Sequence, residues 1–294
     1  MRILLTGATG FLGSALARYW HAAGHELVLP TRVDSDTRRI AAIAPTAGLV
    51  RLAGSDGLAE LVVRSRPDAI VHTAASYGRR GETALAISDA NLRYGIALLQ
   101  GVLDAPGPCV TVLNTGTVLA PQVSLYALSK SQFSQWGAAL APQSGGVLQF
   151  IDARLQQMYG PGDDRSKFTT HVFEACRANE PRLALTAGEQ RRDFIHVEDV
   201  VQAYDRILAR RTEFAAADTI DIGSGVAPRM RDFVELAKHV TGASTELDFG
   251  AVPYRPNEAM LCVADITRLK ALGWTPRFDL EAGLRQTLQR ELDS

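Results

Sequence analysis

Arg2-Ile3-Leu4-Leu5-Thr6-Gly7-Ala8-Thr9-Gly10-Phe11-Leu12-Gly13, running on into Ser14-Ala15-Leu16-Ala17-Arg18-Tyr19-Trp20, is the stretch on which the reading of this chain turns. A short apolar run of β-formers breaks at three glycines and resumes with helical spacing. Strand, glycine turn and helix together build an anion site, because the first N–H groups of the helix have no partner within it. Gly7 accommodates the tight turn, Gly10 lets backbone approach a pyrophosphate, and Gly13 lets the helix sit close on the strand. The backbone of Phe11 and Leu12 then faces the anion. The spacing is G-x-x-G-x-x-G, and in this strand–turn–helix setting it predicts a dinucleotide site.

The strand that follows, Glu26-Leu27-Val28-Leu29-Pro30, ends where a dinucleotide enzyme selects its cofactor. A carboxylate there binds the adenosine ribose hydroxyls of NAD and repels the 2′-phosphate of NADP. This chain has Thr31-Arg32 instead, with no acid before Asp34. A guanidinium beside a hydroxyl suits a phosphate, so NADPH is expected over NADH.

Strand and helix continue to alternate. Arg51-Leu52 is a weak strand, Leu58 to Arg64 a helix, and Ala69-Ile70-Val71-His72 a buried strand. Ala74, Ala75 and Ser76 after it are small enough to admit a flat ligand. His72 is expected as a packed core histidine. Thr83 to Val102 is predicted as one long helix carrying Asn91, Cys109 to Leu113 as a strand, Gln122 to Leu140 as a helix and Val147 to Ile151 as a strand. Repeated β–α units predict a doubly wound parallel sheet with helices on both faces. Residues 1–155 are expected to form this dinucleotide-binding domain, with returns near 194–223. Residues 156–294 are expected to form a smaller substrate-binding lobe, with a short strand running into a helix over Phe194 to Val201 and a buried strand at Thr219 to Ile222.

Composition narrows the function. Of 294 residues, 46% are hydrophobic and 21% charged, as in an ordinary globular enzyme. The net charge of −1 gives no general attraction to nucleic acid or anionic membrane, so neither is expected as a partner. Cys109, Cys176 and Cys262 are odd in number, far apart and without metal spacing. No metal is expected, and a reduced, cytoplasmic setting is. No secretory leader and no membrane span are expected, since the N-terminal apolar stretch is short and interrupted by glycines.

The chemistry is carried by Tyr126-Ala127-Leu128-Ser129-Lys130. Tyrosine and lysine four apart share a helix face, bringing an ammonium near a phenol. Moving a phenol from a pKa near ~10 to ~7 takes roughly 4 kcal/mol of preferential phenolate stabilisation. An adjacent ammonium and the positive nicotinamide of an oxidised cofactor are the expected sources. The strand ending in Asn114-Thr115-Gly116-Thr117 brings a hydroxyl to the same edge, from Thr115 or from Thr117.

These segments together resemble an extended short-chain dehydrogenase/reductase of the NAD-dependent epimerase/dehydratase type that handles nucleotide sugars. The likeness extends through Tyr159-Gly160-Pro161-Gly162, Arg192-Asp193-Phe194-Ile195-His196-Val197, Tyr254-Arg255-Pro256-Asn257-Glu258 and Leu272-Gly273-Trp274-Thr275-Pro276. It implies Thr115, Tyr126 and Lys130 as catalytic residues, and Asp56 and Asn91 beside the cofactor. It also implies Tyr77, Thr117, Gln157, Arg192 and Arg255 toward the substrate, the two arginines on its diphosphate, and a homodimer. The chain departs from the family in three places. Val118-Leu119-Ala120 replaces the usual valine-tyrosine-glycine, the insertion before Tyr126 is missing, and Gln157 stands where asparagine is usual. Dehydratases of the family usually carry an acidic pair where this chain has Gly116-Thr117. The expectation is therefore an NADPH-dependent reductase of a 4-keto-6-deoxy sugar nucleotide, CDP- or dTDP-linked. An NAD-dependent 4-epimerase is the alternative, and a non-catalytic NADP-binding protein the rival from another class.

Overall fold

The computed structural model describes residues 1–255 and 258–293; Pro256 and Asn257 of the motif quoted above lie outside the described residues. Two compact units divide the chain, one of residues 1–154 and 204–220, the other of 155–203 and 221–294.

In the first unit the elements run β1 (Arg2–Thr6), α1 (Phe11–Ala22), β2 (Glu26–Arg32), β3 (Gly48–Leu52), α2 (Leu58–Ser65) and β4 (Ala69–His72). Then come α3 (Ala84–Ser88), α4 (Tyr94–Asp104), β5 (Val110–Thr117), α5 (Leu125–Gln143) and β6 (Leu148–Leu155). The second unit opens with β7 (Gln157–Tyr159), α6 (Phe168–Arg177), β8 (Arg182–Leu185), β9 (Arg191–Arg192), β10 (Phe194–His196) and α7 (Val197–Ala209), whose later part returns to the first unit with β11 (Ala217–Ile222). The chain ends with α8 (Met230–Thr241), β12 (Glu246–Phe249), β13 (Leu261–Cys262), α9 (Thr267–Ala271) and α10 (Leu280–Leu292).

The main sheet is seven-stranded and parallel, in the order β11-β6-β5-β4-β1-β2-β3. Its central strands are near-continuous apolar runs, as burial on both faces requires: Ile3, Leu4, Leu5, Ile70, Val112 and Leu113 have no solvent exposure. The strand order reverses between β1 and β4, and ligands of such sheets bind where the order reverses, outside the carboxyl ends of the strands. Register aligns those ends. Thr6 pairs with His72, and His72 with Asn114, so Gly7 and Thr73 leave the sheet side by side, level with Thr115 on β5.

Three segments differ from expectation. The helix foreseen over Thr83 to Val102 is two α-helices joined by a π turn, Asp89–Arg93. β5 does not stop at Leu113 but runs on to Thr117, alongside β6. α5 starts at Leu125 rather than Gln122: Pro121–Val123 is a separate 3-10 turn, and the Ser124 hydroxyl accepts the Ala127 N–H at 3.1 Å as the helix cap.

In the second unit, Val172, Phe173, Phe194, Phe233, Val234 and Leu284 form the core. Asp193, fully buried, ties its loops together. Its carboxylate accepts N–H groups from Ser224 at 2.7 Å, Gly225 at 2.9 Å and Ala264 at 3.1 Å. No helix among the described residues is long and apolar enough to cross a membrane.

Candidate active site

The glycine turn is held by backbone sterics. Gly7 has φ of 71°, and a β-carbon on it would stand 2.6 Å from the Thr73 hydroxyl. One on Gly13 would stand 2.0 Å from the Gly7 carbonyl oxygen, so α1 rests directly on the turn. Gly10 is different: its only close neighbour would be the Gly7 oxygen, at 3.2 Å, leaving that face open. Gly10 is also the N-cap of α1, with no side chain capping the helix and no acid in its first turn. That is the cradle a pyrophosphate needs.

At the end of β2, the Thr31 hydroxyl is buried without a hydrogen-bond partner. Arg32 is exposed and pairs loosely with Asp34 at 3.5 Å. Two further cations gather here that the reading of the sequence passed over. Arg39 lies 6.0 Å above the Phe11 ring, held by a bond from Arg18 to its carbonyl at 2.7 Å. Arg51 shapes the loop after β2 by donating to the carbonyls of Arg32, Val33 and Ser35 at 3.1, 3.0 and 3.2 Å. The Arg38-Arg39 pair just past the strand was the available clue. An open cradle, an orphaned hydroxyl and this cluster fit a dinucleotide.

Asn91 does not offer its side chain to a cofactor. Its amide is fully buried, accepting from the Ser76 N–H at 2.6 Å and donating to the Ser76 carbonyl and the Ser129 hydroxyl, both at 2.9 Å. It fixes the Ala74-Ala75-Ser76 segment, which remains partly open. Asp56 is exposed and pairs with Arg93 at 3.4 Å. His72 is a core histidine as expected: Nδ1 lies 2.7 Å from the Thr6 hydroxyl, and burial holds the ring's pKa well below 6.5.

Tyr126 lies against Tyr77, ring centroids 4.6 Å apart, with the Arg79 guanidinium 4.9 Å from the Tyr77 ring. Burial, reinforced by Tyr77, pushes the Tyr126 phenol well above 10.0 despite the cation of Arg79. In the chain without cofactor, Lys130 is not among the groups that shift this phenol. Lys130 points its Nζ to Asn114 Oδ1 at 3.4 Å, and burial brings its own pKa down to about 8. Thr115 and Thr117 part company. The Tyr204 hydroxyl, fully buried on α7, donates to the Thr115 hydroxyl at 2.8 Å. The Thr117 hydroxyl accepts the Leu119 N–H at 3.2 Å and shapes the strand exit. Asn114, Asp152 and Tyr204 are support residues that the sequence did not disclose.

In the second unit, Arg192 is 8% exposed and forms an ion pair with Glu258, while its Nη1 donates to the Arg191 carbonyl at 2.8 Å. Arg255 is exposed and Gln157 half-buried on β7. Burial drives His196 to about 4, keeping it neutral between Tyr159 and Phe278. No group of metal-ligating side chains occurs among the described residues.

Comparison with known proteins agrees with this geometry. The NAD dependent epimerase/dehydratase family matches residues 3–223. CDP-abequose synthase of Salmonella typhimurium (strain LT2) is 31% identical, over 98% of this chain and 97% of that protein. GDP-L-fucose synthase of Escherichia coli K12 is 26% identical over 100% and 97% of the two chains. Among solved structures, UDP-glucose 4-epimerase of Thermotoga maritima shares the fold, with a TM-score of 0.84, 22% identity and 100% coverage of both chains.

Proposed function

Because the chain belongs to the NAD-dependent epimerase/dehydratase family, we propose that it reduces the 4-keto group of a CDP- or dTDP-linked 4-keto-6-deoxyhexose with NADPH, in deoxysugar or polysaccharide biosynthesis. Between the two nucleotides, the relatives named CDP-abequose synthase favour the CDP-linked sugar.

The observation that carries the reductase reading is the likeness, over 98% of this chain, to CDP-abequose synthase, with Tyr126 on α5, set against Tyr77, as the proton donor. A reductase must begin with a proton to give, whereas an epimerase begins by taking one. Tyr126 passes its proton to the substrate's O4, and Thr115, oriented by Tyr204, donates a hydrogen bond to the same oxygen. Lys130 holds the nicotinamide ribose. The cofactor, when bound, supplies the hydride. Elimination has no acid or base to work with at Gly116 and Thr117, and the nearby carboxylate of Asp152 is buried and already accepts bonds from Asn114 and Ser134. Arg192 and Arg255 neutralise the diphosphate, Tyr77 and Gln157 contact the sugar nucleotide, and Arg32 with Arg39 favours the 2′-phosphate of NADPH over NADH.

We place the enzyme in the cytoplasm, with its three cysteines free. A homodimer fits the apolar outer side of α5, where Leu125, Leu128 and Trp136 are exposed; a monomer mass in light scattering at micromolar concentration would refute it.

The deciding experiment follows NADPH absorbance while purified protein meets a panel of 4-keto-6-deoxy sugar nucleotides. Net consumption with the CDP-linked member is expected. Interconversion of 4-epimers on tightly retained NAD would replace the reductase by the epimerase. NADPH binding with no turnover on any member would leave only a binding protein.

A further inference from the structure

Behind the Tyr126–Lys130 pair stands a charge that the proposed chemistry leaves unused. Asp152, in the middle of β6, is 8% exposed. Its Oδ1 accepts from the Asn114 amide at 2.6 Å and from the Ser134 hydroxyl at 2.9 Å. Asn114 Oδ1 in turn accepts from Lys130 Nζ at 3.4 Å. The neighbouring position on β5 is Gly116, where a β-carbon would stand 2.7 and 2.9 Å from the two carboxylate oxygens. Three residues thus make room and hydrogen bonds for one buried carboxylate, directly behind a lysine that is 1% exposed.

We propose that Asp152 is the buried counter-charge of Lys130, joined to it through the Asn114 amide, and that it keeps the ammonium charged while the site works. The proposal rests on reading Tyr126 and Lys130 as the reacting pair. A buried ammonium without a compensating charge sheds its proton. Around this one, β4 contributes His72, neutral by burial, and α5 itself contributes Tyr126, a protonated phenol. From α7 comes Tyr204, also a protonated phenol, and β6 adds Arg154, a cation acting on Asp152. None of these supplies a negative charge; Asp152 does. Its Oδ1 accepts from Asn114 and Ser134, and these bonds, with the charges of Lys130 and Arg154, favour the ionised form against the burial that raises its pKa. Burial lowers Lys130 and the charge of Asp152 opposes that fall. Asp152 is a positioning residue, acting on the substrate only through Lys130.

The chain has lysines only at 130, 167, 238 and 270, so protein labelled with 13C at the lysine ε-carbon gives a spectrum in which Lys130 can be followed without cofactor or substrate. Asp152→Asn should lower the Lys130 titration midpoint by about one unit or more. The alkaline limb of the kcat profile should move to lower pH by the same amount, with the KM for the sugar nucleotide little changed. Should Asp152→Asn fail to fold, Asp152→Ser, which leaves room for water, tests the same shift. An unmoved midpoint in either variant, with a wild-type circular dichroism spectrum, overturns the proposal. A reduced rate with an unmoved pH profile also overturns it, since that would be a packing effect. Tyr126→Phe separates the two levels. If it keeps full turnover, the assigned chemistry falls, and the Lys130 midpoint still decides the role of Asp152.

Discussion

The two ends of the candidate site are held in shape by different forces. At the glycine turn, position is enforced by contact between backbone atoms: α1 rests on the Gly7 carbonyl because Gly13 has no β-carbon, and no charged side chain takes part. Around Lys130, position is enforced by side chains from β5, α5, β6 and α7, hydrogen-bonded out of water around a carboxylate and an ammonium. The first end is rigid because nothing else fits there. The second is rigid because any rearrangement leaves a buried polar group unsatisfied. Anion binding needs only fixed N–H dipoles, which backbone supplies. Proton transfer needs groups of tuned acidity, which only a desolvated side-chain network supplies.

The contrast can be broken at several points. The largest effect is expected for Tyr126→Phe, which keeps the ring against Tyr77 but removes the proton. Single-turnover rates should fall on the order of 10²–10⁴-fold with NADPH affinity nearly unchanged. Retention of more than about a tenth of the rate, with chemistry limiting, removes Tyr126 as the acid.

The glycines come next. Gly13→Ala forces a β-carbon onto the Gly7 oxygen, so thermal unfolding should show a loss of about 1–3 kcal/mol. Its kcat/KM for cofactor should drop on the order of 10²-fold. Gly10→Ala meets only one atom, at 3.2 Å, and should melt like wild type while binding cofactor poorly. Equal destabilisation of the two would mean the open face of Gly10 is not a ligand face.

Titration should reach one end and spare the other. Lys130 has a folded value of about 8 against 10.5 for an ordinary lysine. Below 8 both folded and unfolded chains carry the proton, and the cost of burying it is borne in full. Between about 8 and 10.5 the unfolded chain binds a proton that the folded chain has lost, so this group's contribution to stability rises with pH. Turnover should decline over the same window, while cofactor affinity, measured by fluorescence, falls only by the share that Lys130 contributes at the nicotinamide ribose. Parallel loss of both would argue against the division.

The smallest effect is expected from Arg32→Ala, which should weaken NADPH binding about tenfold and leave NADH almost untouched, the usual worth of an exposed charge–phosphate contact. Equal losses for both cofactors would remove Arg32 from the choice between them.

The same contrast explains what could be read before the fold was in view. Gly7, Gly10, Gly13 and the apolar run before them lie within a dozen residues, and their spacing alone states their job. Tyr126 and Lys130 are likewise one helical turn apart. Asn114, Ser134, Asp152 and Tyr204 meet from four separate elements, and nothing in the local sequence of any of them marks it. Asn91 shows a related point: its position was clear, but an amide serves a ligand or a loop equally well, and its contacts with Ser76 and Ser129 came into view only with the fold. The ends of β5 and α5 shifted because pairing and capping, rather than propensity, set them.

The π turn at Asp89–Arg93 holds one residue more than an α-helix would fit in the same rise. Removing a single residue, Ala90 for instance, would let α3 and α4 fuse into one regular helix, with better hydrogen bonding along its axis. It would also turn everything on one side of the deletion by about 100°, swinging Asn91 away from Ser76 or α4 away from the sheet. The shortened chain should therefore be a better helix around a slacker ligand loop, visible as faster hydrogen exchange at residues 74–77.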